Sequence, residues 1–257
     1  MKTFIALLKA DLYRALFSIN FVISTISIMF VMFISCSGYI NNTSDVLYLL
    51  GLALTGSGSP LFILCIAPLL PYGMSFASDV EDKALPFWVI RTGTKKYAIS
   101  KFISSVIAGF LTVATGMVVF TLIISIFFPL FGGTVGNASS YAVLLENNQP
   151  LIYILIMTVH YSLSGALFAG AAIAISSFIP NKFSIMTAPI VLYFVLMRIT
   201  TNAPIPNFLK ADFLIQGICS GVSPMIAFLC KLIPVIGILS TFLYITVKQI
   251  KKRIGSS

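Results

Sequence analysis

Apolar residues run almost without a break through six stretches of this chain, 17–40, 60–77, 102–128, 151–178, 183–200 and 225–247, and most of the charge lies between them. A bilayer core of ~30 Å needs about 20 residues of helix, and each stretch is near that length. A β-barrel is rejected because its strands alternate apolar and polar residues, whereas these runs are continuously apolar. In lipid such a segment satisfies its own backbone only as a helix. The pattern therefore predicts an all-α, polytopic membrane protein with six transmembrane helices in one domain, 1–257.

Ahead of the first stretch, Phe4, Ile5, Leu7, Leu8, Leu12 and Leu16 recur at helical spacing while Lys2, Lys9, Asp11 and Arg14 fall largely elsewhere. This predicts an amphipathic elbow helix over 1–16, lying along the inner membrane surface. The other reading left open is a ragged start to the first span. Two connections of about 22 residues, 129–150 and 203–224, are long for structureless loops. Phe208, Leu209, Phe213, Leu214 and Ile218 suggest a short or re-entrant helix in the second of them.

Charge orients the spans. Lys2, Lys9 and Arg14 precede the first span, five basic residues lie from Lys83 to Lys101, Lys182 follows the fourth span, and Lys248, Lys251, Lys252 and Arg253 close the chain. Thirteen of the sixteen Lys and Arg thus fall on one side of a six-span path, which predicts both termini in the cytoplasm. On that side the segment 79–101 stands out, carrying Asp79, Glu81, Asp82, Lys83, Arg91, Lys95, Lys96 and Lys101. A hairpin with that charge must sit in water at one membrane face, where a soluble partner can push on it.

Composition agrees, with 58% hydrophobic and 9% charged residues and a mean hydropathy of +1.04. The net charge of +9 does not indicate nucleic acid, because the basic groups cluster at the ends of apolar segments. Residues 1–16 lack the basic cap, apolar core and small-residue site of a cleaved signal. Cys36, Cys65, Cys219 and Cys230 show neither zinc-ligand nor redox spacing and read as small apolar fillers.

Candidate chemistry is sparse. No glycine-rich loop ends in Lys-Ser or Lys-Thr, so the chain is not expected to hydrolyse ATP itself, and Gly56-Ser57-Gly58-Ser59 reads as a turn. His160, the only histidine, precedes Ser164 by one helical turn, so the pair shares a helix face; an intramembrane serine hydrolase is one reading and ordinary buried polar residues the other. No metal site is expected from one histidine without carboxylates in the spans. Pro68 and Pro71 each remove a backbone donor, predicting a kink in the second span that either borders a substrate pathway or is a packing bend. Small residues from Gly165 to Ala174 form a helix-packing face. Arg198 and Lys231 lie near outer ends of spans, where the readings are snorkelling to the headgroups or contact with substrate, with Asp212 or Glu146 as ionic partners.

The hairpin FASDVEDKALPFWVIRTGTKKYAISKF, residues 76–102, resembles the loop between the second and third helices of ATP-binding-cassette permeases of the type-2 exporter class. In that family an acidic residue follows the second span, then come a short coupling helix, a basic turn and a lysine opening the third span; the similar positions here are Asp79 or Glu81, 82–90, 91–96 and Lys101. LLKADLYRALFS, residues 7–18, resembles the family's elbow helix. The resemblance implies a permease subunit in the cell membrane, of bacterial plasma-membrane type, working with a second permease copy or a related permease. It also implies a separate ATPase subunit, which would carry the ATP and Mg, while this chain binds no cofactor. Asp79, Glu81, Asp82, Lys83, Phe87, Trp88 and Arg91 are the expected ATPase-coupling residues, with the two aromatics as apolar anchors. Pro68, Pro71 and Lys231 are the candidate pathway residues. The cargo expected is hydrophobic or amphipathic, a peptide, bacteriocin or drug-like molecule, since the spans are rich in apolar and aromatic residues. An immunity or sensing subunit that binds such a molecule without moving it is the alternative from another class.

Overall fold

A computed structural model describes residues 2–41, 44–56, 58–132, 141–201, 204, 206, 210–216 and 223–255, apart from the side chains of residues 2, 3, 201, 212 and 216. Every regular element among them is helical. In chain order these are α1 (Lys2–Leu16), α2 (Ile19–Cys36), α3 (Val46–Thr55), α4 (Ser59–Leu61), α5 (Ser75–Glu81), α6 (Leu85–Thr92), α7 (Thr94–Phe127), α8 (Val143–Glu146), α9 (Pro150–Phe178), α10 (Lys182–Thr201), α11 (Ala211–Gln216) and α12 (Pro224–Gly255). Five helices are long and apolar enough to cross a membrane; a sixth crossing is made if Val46–Thr55 and Ser59–Leu69, bent by 79°, count as one broken span.

The residues explain the boundaries. Helix α1 is separate from α2 because Ser18 adopts an extended conformation and its hydroxyl accepts the Phe21 N–H, capping a new helix. The expected second span at 60–77 is not a continuous helix. After α4 the chain is π-helical over Phe62–Ile66 and 3₁₀ over Ala67–Leu69, then turns until α5 begins at Ser75. Pro68 and Pro71 have no N–H for the helical ladder, so Ala67 N–H reaches back to Phe62 O and Ala67 O takes Leu70 N–H instead. Both prolines are buried, so the freed backbone is covered by protein. Gly58, at φ +83°, supplies the left-handed residue that lets α4 start after α3.

The long helices α7 and α9 form the axis of the bundle, and glycines set their separation. A Cβ on Gly109 would lie 2.5 Å from Ala169 Cβ, and one on Gly165 would lie 2.6 Å from Val113 Cγ2. The expected small-residue face of α9 is thus a packing face within the subunit, with Gly170 against Leu239 of α12 on another side. Helix α2 packs on α7 through Ile28 at Gly116 and a Thr25–Thr115 hydroxyl pair 3.2 Å apart.

Charged segments collect at one end of this bundle. Arg14 of α1 lies over Trp88 of α6, Lys182 at the start of α10 pairs with Glu81, and the Arg253 guanidinium of α12 donates to Phe178 O. Both terminal helices therefore reach the same end as the 79–101 hairpin. At the other end Asp45 caps α3 through Tyr48 N–H and accepts Gly132 N–H at 2.7 Å, joining the α2–α3 and α7–α8 connections.

Candidate functional site

At the charged end four segments converge on a buried polar cluster. Tyr97, Ser100 and Lys101 lie within one turn of α7, so their side chains emerge together. Gly93, at φ +80°, and Lys83, at φ +56°, turn the chain between α6 and α7 and between α5 and α6, bringing Asp79 of α5 against them. Asp11 arrives from α1, and Tyr72 from the turn that ends the broken second span.

The cluster centres on Lys101. Its Nζ is 2.8 Å from Asp79 Oδ2 and 3.9 Å from Asp11 Oδ1, and it donates to the Tyr72 hydroxyl at 3.0 Å. Tyr72 donates to Asp11 Oδ1 at 2.5 Å, Ser100 to Asp11 Oδ2 at 2.6 Å and Tyr97 to Asp79 Oδ2 at 2.5 Å. The side chains of Lys101, Asp11 and Asp79 are only 5%, 2% and 16% exposed. Burial first, then the Asp11 charge and hydrogen bond, push the Tyr72 hydroxyl above its ordinary range, so it remains a donor. Two carboxylates and one ammonium with matched partners make a tie between α1, α5 and α7 that cannot be loosened piecewise without stranding a buried charge.

Helix α6 is laid across this tie. Leu85, Trp88 and Val89 face inward, packing with Phe76, Tyr97, Phe102 and Ile250, and the Arg14 guanidinium sits 4.9 Å from the Trp88 ring. The opposite face carries Phe87 and Ile90, exposed by 73% and 83%, next to exposed Arg91. Outside the long apolar helices, these are two large hydrophobic residues left bare on a short, firmly seated helix.

The structure sorts the expected coupling residues into two groups. Glu81, Asp82, Lys83, Phe87 and Arg91 are exposed, while Asp79 and Trp88 are turned inward and hold the hairpin in place. The helix begins at Leu85, later than the expected 82. Pro86 therefore lies in its first turn, where a missing N–H costs no helical bond. Asp11, Tyr72, Tyr97 and Ser100 were not expected. Their one sequence signal is an acid on an otherwise basic amphipathic segment, together with a lysine just inside an apolar one.

Of the expected pathway residues, Pro68 and Lys231 both lie against α9, beside Gly165 and Ser164. Pro68 packs at the α7–α9 crossing, where a Cβ on Gly165 would lie 3.3 Å from its Cγ. Lys231 of α12 does not extend to the headgroups; it is 0% exposed, donating to His160 O and, at 2.7 Å, to Ser164 Oγ. No carboxylate among the described residues pairs with it, and Glu146 is exposed. The Asp212 side chain, with Phe208, Leu209, Ile218 and Cys219, lies outside the described residues. Ser164 donates weakly to Leu214 O at 3.4 Å, and the His160 ring meets the Tyr141 hydroxyl at 3.0 Å instead of Ser164. Ser164 sits in mid-helix, where backbone N–H groups are spent on the helix's own ladder and leave no local oxyanion donors. No group of three potential metal ligands occurs among the described residues.

Protein-family models, curated proteins and solved structures were compared with this chain, and none matches it.

Proposed function

We propose that the chain is the membrane-spanning permease subunit of an ATP-binding-cassette exporter, with both termini cytoplasmic and a separate ATPase subunit docked on α6. The cargo is hydrophobic or amphipathic, and a second permease copy or a related permease completes the pathway. One observation carries the reading: α6 offers Phe87 and Ile90 outward while Leu85, Trp88 and Val89 seat it on α1, α5 and α7, which Asp79, Lys101 and Asp11 fasten to one another. A force applied to that helix by a soluble partner reaches the bundle through a rigid tie. The six exposed charges of the hairpin, Glu81, Asp82, Lys83, Arg91, Lys95 and Lys96, would form the polar rim of such an interface.

The test is affinity purification of the tagged chain from cells that express it naturally. A nucleotide-binding ATPase should co-purify and be lost with Phe87→Asp plus Ile90→Asp, while Lys95→Ala retains it. Labelling of a cysteine placed at position 87 from outside the cell, or retention of the ATPase by the double variant, would overturn the docking assignment.

A further inference from the structure

The cavities between α9, α10 and α12 have a polar head and an apolar body. One, about 240 Å³, is bordered by Ser164, Phe168, Leu196, Thr200 and Leu214; a second, about 450 Å³, by Ala174, Phe178, Ala188 and Ile245. They share Ala171, Leu192 and Phe242, so together they form one groove running from Ser164 toward the inner end of α9. From Ser164 to Phe178 that is fourteen residues of helix, or about 21 Å, the reach of a long alkyl chain.

The head of the groove is unusual. Ser164 borders the cavity, and its Oγ is held by Lys231, which itself lines neither cavity, is fully buried and has only neutral acceptors, His160 O and Ser164 Oγ, among the described residues. An ammonium has three N–H donors, and two are accounted for. A buried cation is costly unless an anion or several acceptors compensate it. The geometry points to a binding site for a long-chain carboxylate, with its head on Ser164, backed at 2.7 Å by Lys231 Nζ, and its alkyl chain along Ala171, Leu192 and Phe242. A carboxylate matches because it can draw the Ser164 proton from its long 3.4 Å bond to Leu214 O, with the Lys231 nitrogen directly behind that hydroxyl to answer the negative charge. A neutral alcohol of the same length fills the groove equally but leaves the charge unanswered. This inference does not depend on an ATPase partner.

The probe is palmitate bearing a photoreactive diazirine near its methyl end, added to the purified full chain in a non-ionic detergent. Cross-links should map to α9, α10 and α12, and plain palmitate should compete at least about tenfold better than hexadecanol, the scale of one charged hydrogen bond. Lys231→Met should abolish the preference for palmitate while leaving weak labelling. Leu192→Trp, which plugs the groove away from the charge, should abolish labelling altogether and covers the case in which the lysine variant does not fold. Equal competition by hexadecanol, or unchanged labelling in both variants, would overturn the assignment. So would strong coupling between Lys231→Met and Asp212→Asn in thermal unfolding, since Asp212 would then be the missing counter-charge.

Discussion

Two lysines are buried in this bundle by opposite means. Lys101 lies at the charged end between Asp79 and Asp11, with Tyr72, Tyr97 and Ser100 completing the shell of donors. Lys231 lies among helices on the far side of the α7–α9 crossing, with a carbonyl and a hydroxyl as partners. The first arrangement neutralises charge locally and fixes three segments relative to one another. The second leaves a basic group with no carboxylate partner among the described residues in an apolar region beside a groove. A cation with its own anions serves architecture, whereas a basic group without them suits the anion proposed above.

The sharpest way to break this comparison is to remove each cation in turn. Lys101→Met strands Asp11 and Asp79 in the interior, and the expected loss is about 3–5 kcal/mol, the cost of breaking a buried pair from one side. Lys231→Met strands no charge among the described residues and should be neutral or stabilising in the absence of ligand. Thermal unfolding of both proteins in the same detergent measures the difference. Equal destabilisation would show that Lys231 also has a structural counter-charge.

Both sites depend on the axis that joins them. Gly165→Val would drive a side chain into Val113 Cγ2 and the Gly109 carbonyl, and overpacking of this kind costs about 1–3 kcal/mol, more where backbone blocks relief. Because Gly165 adjoins Ser164 and faces α7, the substitution should lower both the unfolding midpoint and palmitate labelling. Labelling unchanged in a destabilised protein would separate the groove from the crossing.

Much of the fold was legible because membrane helices obey a length rule. The spans over α2, α7, α9, α10 and α12 follow from continuous apolar runs, and α1 from its 3.6-residue spacing. Helix α3 was not legible: VLYLLGLALT is half a membrane thickness and abuts a Gly-Ser turn, so a ruler of 20 residues passes over it. The second span was expected at 60–77 with a kink at its prolines, and the break found there is deeper than a kink. Its apolar run is long enough, but two prolines three residues apart favour π and 3₁₀ turns over one α-helix. At the site, exposed Glu81, Asp82, Lys83, Phe87 and Arg91 could be read from a single segment. The Asp11, Tyr72 and Lys101 tie spans 90 residues of sequence, and no local pattern announces a pairing that only tertiary folding creates.

The cluster at the charged end should also respond to pH. Tyr72 holds its proton more tightly in the folded state than in the unfolded chain, because burial and Asp11 oppose phenolate. Stability from this group is therefore complete below the unfolded value of about 10 and is lost as pH rises beyond it. The unfolding midpoint should fall above about pH 10, and Tyr72→Phe should flatten part of that fall; an unchanged slope in the variant would remove Tyr72 from the explanation.

The smallest effect is expected at the shortest of the ion pairs among the described residues. Lys182 Nζ and Glu81 Oε2 are 2.6 Å apart, closer than Lys101 to Asp79, yet their side chains are 51% and 62% exposed. Water already solvates both charges, and holding two long side chains in one pose costs entropy, so the pair adds little. Glu81→Gln should leave the unfolding midpoint unchanged within error at both 50 mM and 500 mM salt, in contrast to Asp79→Asn, which deprives buried Lys101 of its nearest anion. If Glu81→Gln instead destabilised the protein at low salt alone, the α5–α10 pair would be a second tie, screened by ions. The hairpin would then be fastened at α10 as well as at α1 and α7.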